Sequence, residues 1–199
     1  MKVVGVGGST RRGSSTEVAM EAVLAALRRR KAETELFCRD ALLLPVYEPD
    51  APLNDKGRRL VEAVRNADAI VVGSPAYHGG PSGLIKNALD YLEALRDDRR
   101  PYLSDRAVGL VVTAHGWQAA VTTLVTLRQI THALRGWPTP LGLAINVAEL
   151  PEGLDAALRG SDLAARVEEL ARQVESGHDS QPAAVDDGVG AGHEAGRVR

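Results

Sequence analysis

The chain has 199 residues, with 24 Lys and Arg against 26 Asp and Glu and a formal net charge of −2. That length supports one domain with a sizeable core, and the near-neutral charge lacks the basic face that nucleic-acid binding needs. No apolar stretch is long enough to cross a bilayer and no charged leader precedes the first strand, so a cytoplasmic rather than a membrane location is expected. The single cysteine, Cys38, excludes an intrachain disulfide and fits the same reducing compartment.

The first expected element is a strand over 2–6, carrying the apolar run Val3-Val4-Gly5-Val6. It feeds the loop Gly-Gly-Ser-Thr-Arg-Arg-Gly-Ser-Ser-Thr at 7–16, and a helical pattern opens near Thr16. A strand, a hydroxyl-rich turn and a helix start together make an anion site. The first N–H groups of a helix lack partners, and its dipole favours negative charge there. Five hydroxyls (Ser9, Thr10, Ser14, Ser15, Thr16) and two guanidinium groups (Arg11, Arg12) crowd this turn. Gly5-Val6-Gly7-Gly8-Ser9-Thr10 matches the dinucleotide fingerprint only in part, since Thr10 stands where a third glycine or alanine would pack helix on strand. No Gly-Lys-Ser/Thr ending marks a nucleoside-triphosphate loop. Hydroxyls plus an arginine suit a terminal monophosphate dianion, which has three oxygens to satisfy. The alternative is a serine-rich loop that only caps the helix, and the two readings are compatible.

Ala22, Val23, Ala25 and Ala26 mark the first helix, and Arg28-Arg29-Arg30-Lys31 in its last turn complements the dipole. A strand over 34–38 follows, with Cys38 at its end expected to pack rather than react. The proline-rich stretch 39–53 reads as a connection or rim. Leu60, Val61 and Val64 mark the second helix, and a third strand covers 69–73. The loop 73–83 is rich in Gly and Pro. Such a backbone stays extended and offers N–H groups to a flat heterocycle, with Tyr77 placed to stack on it; the alternative is a tight turn with a surface tyrosine. His78 and His115 are read as hydrogen-bonding or surface residues. The third helix carries the stripe Leu84, Ile85, Ala88, Leu89, Leu92 and Leu95. Its Lys86, Asn87 and Asp90 are expected to be solvated or at a subunit contact, and Tyr91 and Leu95 to meet a second copy.

A fourth strand over 107–113 leads into Thr113-Ala114-His115-Gly116-Trp117. Leu124, Leu127, Ile130 and Leu134 mark the next helix, 140–145 the fifth strand, and Leu163, Val167, Leu170 and Val174 the last helix. From about 176 the periodicity lapses into Gly, Ala, Asp and His. A domain over 1–175 and a disordered tail over 176–199 are therefore expected, and His178 and His193 are not read as a metal site. Strict alternation of five strands and five helices defines an α/β fold, a doubly wound parallel sheet of order 2-1-3-4-5 with helices on both faces. In that order the loops after strands 1, 3 and 4 share one crevice at the carboxyl edge.

Three blocks, Gly8 to Thr16, Ser74 to Gly79 and Ser82 to Asp90, together resemble the NAD(P)H-dependent FMN reductase family over about residues 1–150. The stretch 124–145 is similar to the branch that supplies reduced flavin to two-component monooxygenases. The resemblance implies a flavodoxin-like fold with FMN and NAD(P)H as cofactors. It implies hydride transfer from the nicotinamide to FMN, a second electron acceptor, a flavin-dependent monooxygenase as partner, and a homodimer or homotetramer. It places Ser9, Arg11, Ser14, Ser15 and Thr16 at the FMN phosphate. Pro75, Ala76, Tyr77, His78 and Gly79 fall at the isoalloxazine and ribityl region, and Thr113, Ala114, His115 and Gly116 on the far side of the ring. It implies no catalytic side chain and no metal. This chain departs from the family in carrying Thr16 for a commoner Asn, Ala76 for a frequent Glu, and a third loop poorer in glycine and serine. Two other readings stand beside it. One is a reductase of quinones, azo compounds or metal oxyanions that keeps its FMN. The other is an electron carrier, against which the near-neutral charge argues.

Overall fold

The protein is described by a computed structural model covering residues 1–160 and 162–179. Three continuous apolar runs form the centre of one parallel sheet: β1 (Lys2–Gly7), β3 (Ala69–Tyr77) and β5 (Ala107–Ala114). β2 (Glu33–Cys38) lies outside β1. Such strands read as unbroken Val/Ile/Leu because both faces are covered. Side chains still alternate: Val3, Val71, Val111 and Leu143 enter one core, and Val4, Ile70, Val72 and Leu110 the other. The helices α1 (Ser15–Arg29) and α6 (Asp162–Asp179) cover the first face. The second is covered by α2 (Asp55–Arg65), α3 (Gly83–Asp90) and α4 (Trp117–Ala133). Each fully buried aliphatic side chain contributes about 1.5–3 kcal/mol.

The order β2-β1-β3-β5 is the expected 2-1-3-4, and the fifth position is filled in two pieces. The pair β6 (Trp137–Pro138) lies beside Ala107 and Val108, whereas β7 (Leu143–Asn146) lies beside Val111 to Ala114. The single strand expected over 140–145 is thus split and shifted. Pro138 and Pro140 have no N–H for a ladder. Between the pieces Thr139 N donates to Val108 O on β5 at 3.0 Å, and Arg128 donates to the carbonyls of Thr139 (2.9 Å) and Pro140 (2.8 Å).

Other expectations change with packing. The basic run ending α1 joins two helices: Arg29 pairs with Glu168, and Arg30 with Glu175 at 2.8 Å, both on α6. Tyr91 and Leu95 are 4% and 0% exposed, so neither is available to a second copy. The Tyr91 hydroxyl donates to the Pro45 carbonyl at 3.1 Å, and burial raises its pKa. Asn87 is half-buried and committed to the fold. Its side chain accepts from Tyr47 N (2.9 Å) and donates to Pro45 O (2.8 Å), fastening the proline-rich segment to α3. Lys86 and Asp90 do form an exposed pair at 2.6 Å. A short α5 (Gly153–Ala157) precedes α6, which runs to Asp179, four residues past the domain end expected at 175. The rest of the expected tail, with His193, lies outside the described residues.

At the amino edge of the sheet Arg106, immediately before β5, is 1% exposed. Its Nε donates to Ala67 O (3.1 Å), one terminal nitrogen to Tyr102 O and Ser104 O (both 3.2 Å), and the other to Arg65 O (2.8 Å). Burial lowers its pKa from the ordinary guanidinium range to about 10.

Candidate flavin site at the carboxyl edge

At the opposite edge β1, β3 and β5 end side by side, with Gly7 paired to Gly73 and Pro75 to Thr113. The chain leaving β1 stays bound to its neighbour, since Gly8 N donates to Gly73 O at 2.8 Å. Gly8 has no room for a side chain: a Cβ there would lie 2.2 Å from Ile85 Cγ1. This close approach is clamped by Ser82, the N-cap of α3, whose hydroxyl donates to Gly8 O (2.7 Å) and accepts from Ile85 N (3.3 Å). Ser82 N in turn donates to Ser74 Oγ at 2.9 Å. Both serines are buried, and together they lock the first loop to the second. Sequence reasoning gave them no role, although a serine ahead of an apolar helical stripe is a capping signal.

The first loop turns through Gly13, whose φ of +64° is left-handed, and enters α1 at the N-cap Ser14. Ser14 Oγ accepts from Glu17 N (3.2 Å), and Gly13 N donates to Glu17 Oε2 (2.8 Å). The N–H groups of Ser15 and Thr16, first in the helix, have no intrahelical acceptor. Arg11 and Arg12 are exposed, and neither side chain has an ion pair or hydrogen bond among the described residues. Thr16 Oγ1 lies 2.7 Å from Thr113 Oγ1 in a buried contact. One hydroxyl donates to the other, which leaves one hydrogen for a further acceptor. These threonines, expected at opposite ends of the ligand, are in contact with each other.

The second segment is a hairpin rather than an extended loop. β3 continues past 73 to Tyr77 and returns as β4 (Gly80–Pro81), with Ala76 opposite Pro81 and Tyr77 opposite Gly80. The turn residues His78 (φ +51°) and Gly79 (φ +82°) are both left-handed, the pattern of a type I′ hairpin whose twist matches its strands. Tyr77 is 59% exposed beside the cleft.

A cleft of about 560 Å³ runs between these segments, within the range of small-molecule sites. Ser9, Thr10, Arg11, Ser14, Ser15 and Thr16 line it from the first loop, Pro75, Ala76 and Tyr77 from the second, and Thr113, Ala114 and His115 from the third. Two more lining residues, Ala119 in the first turn of α4 and Val147 after β7, carry no motif that a sequence reading could use. His78, Gly79 and Gly116 do not line the cleft: the first two form the hairpin tip and Gly116 caps α4. Trp117 neither covers the cleft nor fills the core. It is 47% exposed and its Nε1 donates to Glu149 Oε2 at 2.8 Å.

One residue of the expected rim reaches the first loop. Arg39, in a 3-10 turn Arg39–Leu42, lies with its Nε 3.1 Å from Glu17 Oε1, an ion pair without hydrogen-bond alignment. Cys38 Sγ is 3.9 Å from the same oxygen and only half-buried. Cys38 first, then Glu17, raise the Arg39 pKa above its ordinary value.

The donor set suits a phosphate ester carrying a flat ring. Free helix N–H groups, hydroxyls and one unpaired guanidinium match the anion. Pro75, Ala76, Tyr77, Ala119 and Val147 supply apolar wall for a ring. A parallel sheet of order 2-1-3-4-5, with this helix start at its switch point, defines a flavodoxin-like α/β protein. The chain belongs to the NADPH-dependent FMN reductase family, which matches residues 1–149. It is 32% identical over 104 residues to an iron-sulfur flavoprotein of Methanocaldococcus jannaschii, covering 48% of this chain and 54% of that protein. It is also 32% identical over 98 residues to an FMN-dependent NADPH-azoreductase of Staphylococcus aureus, covering 49% and 48%. The chain thus spans about half the length of the curated relatives it matches. Among solved structures, an NADH:FMN oxidoreductase in its apo form shares the fold, with a TM-score of 0.69, 20% identity and coverage of 92% of this chain and 90% of that one.

Proposed function

We propose that this protein is an NAD(P)H-dependent FMN oxidoreductase that takes a hydride from the nicotinamide and passes electrons to a second acceptor. The observation that carries the reading is the open start of α1, with unpaired N–H groups on Ser15 and Thr16 and an unpaired Arg11, facing a cleft with an apolar wall. Membership of the NADPH-dependent FMN reductase family supports it. Ser9, Arg11, Ser14, Ser15 and Thr16 would hold the phosphate, with Thr113 fixing the Thr16 hydroxyl. Pro75, Ala76 and Tyr77 would bound one side of the ring and Ala114 and His115 the other. His78, Gly79 and Gly116 shape the turns that carry those walls.

When bound, the flavin supplies the hydride acceptor and the electron relay; the protein supplies position and electrostatics. No side chain of the cleft is required as a nucleophile. The acceptor proposed first is a flavin-dependent monooxygenase that receives reduced flavin. A second reading, favoured by the identity to an FMN-dependent NADPH-azoreductase, keeps FMN on the protein and reduces azo compounds. The proposal also includes a cytoplasmic homodimer or homotetramer, and no helix among the described residues is long and apolar enough to cross a membrane.

Anaerobic mixing of the protein, FMN and NADPH or NADH tests the activity. Loss of the flavin absorbance band is expected, and an unchanged spectrum with both nicotinamides overturns it. A protein that stays yellow through dialysis selects the second reading, and a colourless one selects the first. Light scattering reads the oligomer.

A further inference from the structure

The phosphate loop is tied down by a negative charge. Glu17, in the first turn of α1, accepts the Gly13 N–H at 2.8 Å and has 15% of its side chain exposed. A carboxylate there opposes any dianion at the helix start, because Coulomb repulsion through a partly buried region is weakly screened. The fold answers with Arg39, delivered from the end of β2 through a left-handed backbone (φ +49°) to 3.1 Å from the other Glu17 oxygen. Neither Glu17 nor Arg39 lines the cleft, so Arg39 meets the loop through Glu17 and not through the ligand.

We infer that Glu17 and Arg39 are a positioning pair for phosphate binding: Glu17 holds the Gly13 turn in shape, and Arg39 cancels the charge that this hold would otherwise set against the phosphate. The inference rests on reading the cleft as a flavin phosphate site. It makes residue 39 a determinant of selectivity for the phosphorylated over the unphosphorylated flavin, although no phosphate contact is made from it. A purely structural pair would affect both ligands alike.

Flavin fluorescence titrations of FMN and riboflavin distinguish these cases, with thermal unfolding run in parallel. Arg39→Gln is expected to weaken FMN binding roughly three- to tenfold and to leave riboflavin unchanged, the FMN loss shrinking in ~0.5 M salt. Arg39→Lys keeps the charge and should keep the FMN affinity. The double variant Glu17→Gln/Arg39→Gln, whose amide oxygen still accepts the Gly13 N–H, should recover most of the loss. The inference is overturned if Arg39→Gln leaves FMN affinity within twofold of the parent, if riboflavin weakens as much as FMN, or if the double variant binds no better than Arg39→Gln. Should Arg39→Gln fail to fold, Arg39→Met serves with the same outcomes. A parent protein that binds no FMN at all refutes the flavin reading itself, a result separate from any of these.

Discussion

Arg106 and Arg11 stand at opposite edges of one parallel sheet. At the amino edge Arg106 is buried and its donors are spent on four backbone carbonyls, those of Ala67, Tyr102, Ser104 and Arg65. At the carboxyl edge Arg11 is exposed, and its side chain donates to nothing among the described residues. The N–H groups of Ser15 and Thr16 beside it are equally uncommitted within the helix. A buried donor must be satisfied internally, because leaving it unpaired is costly, whereas an uncommitted donor in a cleft is binding capacity. The amino edge is therefore closed for stability, and the carboxyl edge is held open by a separate set of clamps, Ser74, Ser82 and the Thr16–Thr113 contact.

Three substitutions test that division. The largest effect is expected at Arg106→Leu, which strands buried carbonyls and should lower unfolding stability by on the order of 3–5 kcal/mol. Chemical denaturation measures it, and the FMN affinity of the folded fraction should be unchanged; a loss under about 1 kcal/mol would end the contrast. Arg11→Ala should do the reverse. FMN binding falls by about 1.5–3 kcal/mol, the range for hydrogen bonds to charged groups, with stability held within about 0.5 kcal/mol. Isothermal titration with FMN reads the first figure, and unchanged affinity removes Arg11 from the site. Ser82→Ala is the smallest and crosses the divide. Loss of the α3 cap and of the bond to Gly8 O should cost about 0.5–2 kcal/mol of stability. FMN affinity should weaken with it because the first loop loses its anchor. If only stability changes, the clamp does not position the loop.

Much of this was legible in the chain itself, for local reasons. Unbroken runs such as Ala69 to Val72 and Val108 to Val112 announce strands buried on both faces, and the stripe from Leu84 to Leu95 announces a helix against them. The hydroxyl-rich loop ahead of α1 announces a helix start, which Ser14 caps. The misses have physical causes too. The fifth strand splits around Pro138 and Pro140, which have no N–H to donate, and a distant Arg128 satisfies the carbonyls of Thr139 and Pro140. His78-Gly79 makes a type I′ turn without the usual Asn, so a hairpin passed for a loop. Tyr91 and Leu95 continue an apolar stripe, and only the packing of Tyr47 and the segment 43–53 over α3 shows that they face inward.

The order of residues alone thus determined the alternation of strands and helices, the carboxyl-edge loops and the family, because periodicity, capping and turn chemistry act over a few neighbours. Tertiary structure alone decided which polar groups are spent and which remain free. Thr16 meets Thr113 across 97 residues, and Arg106 finds its carbonyls up to 41 residues away. Those pairings depend on which strands lie side by side, a choice set by burial of the whole sheet and not by any one segment.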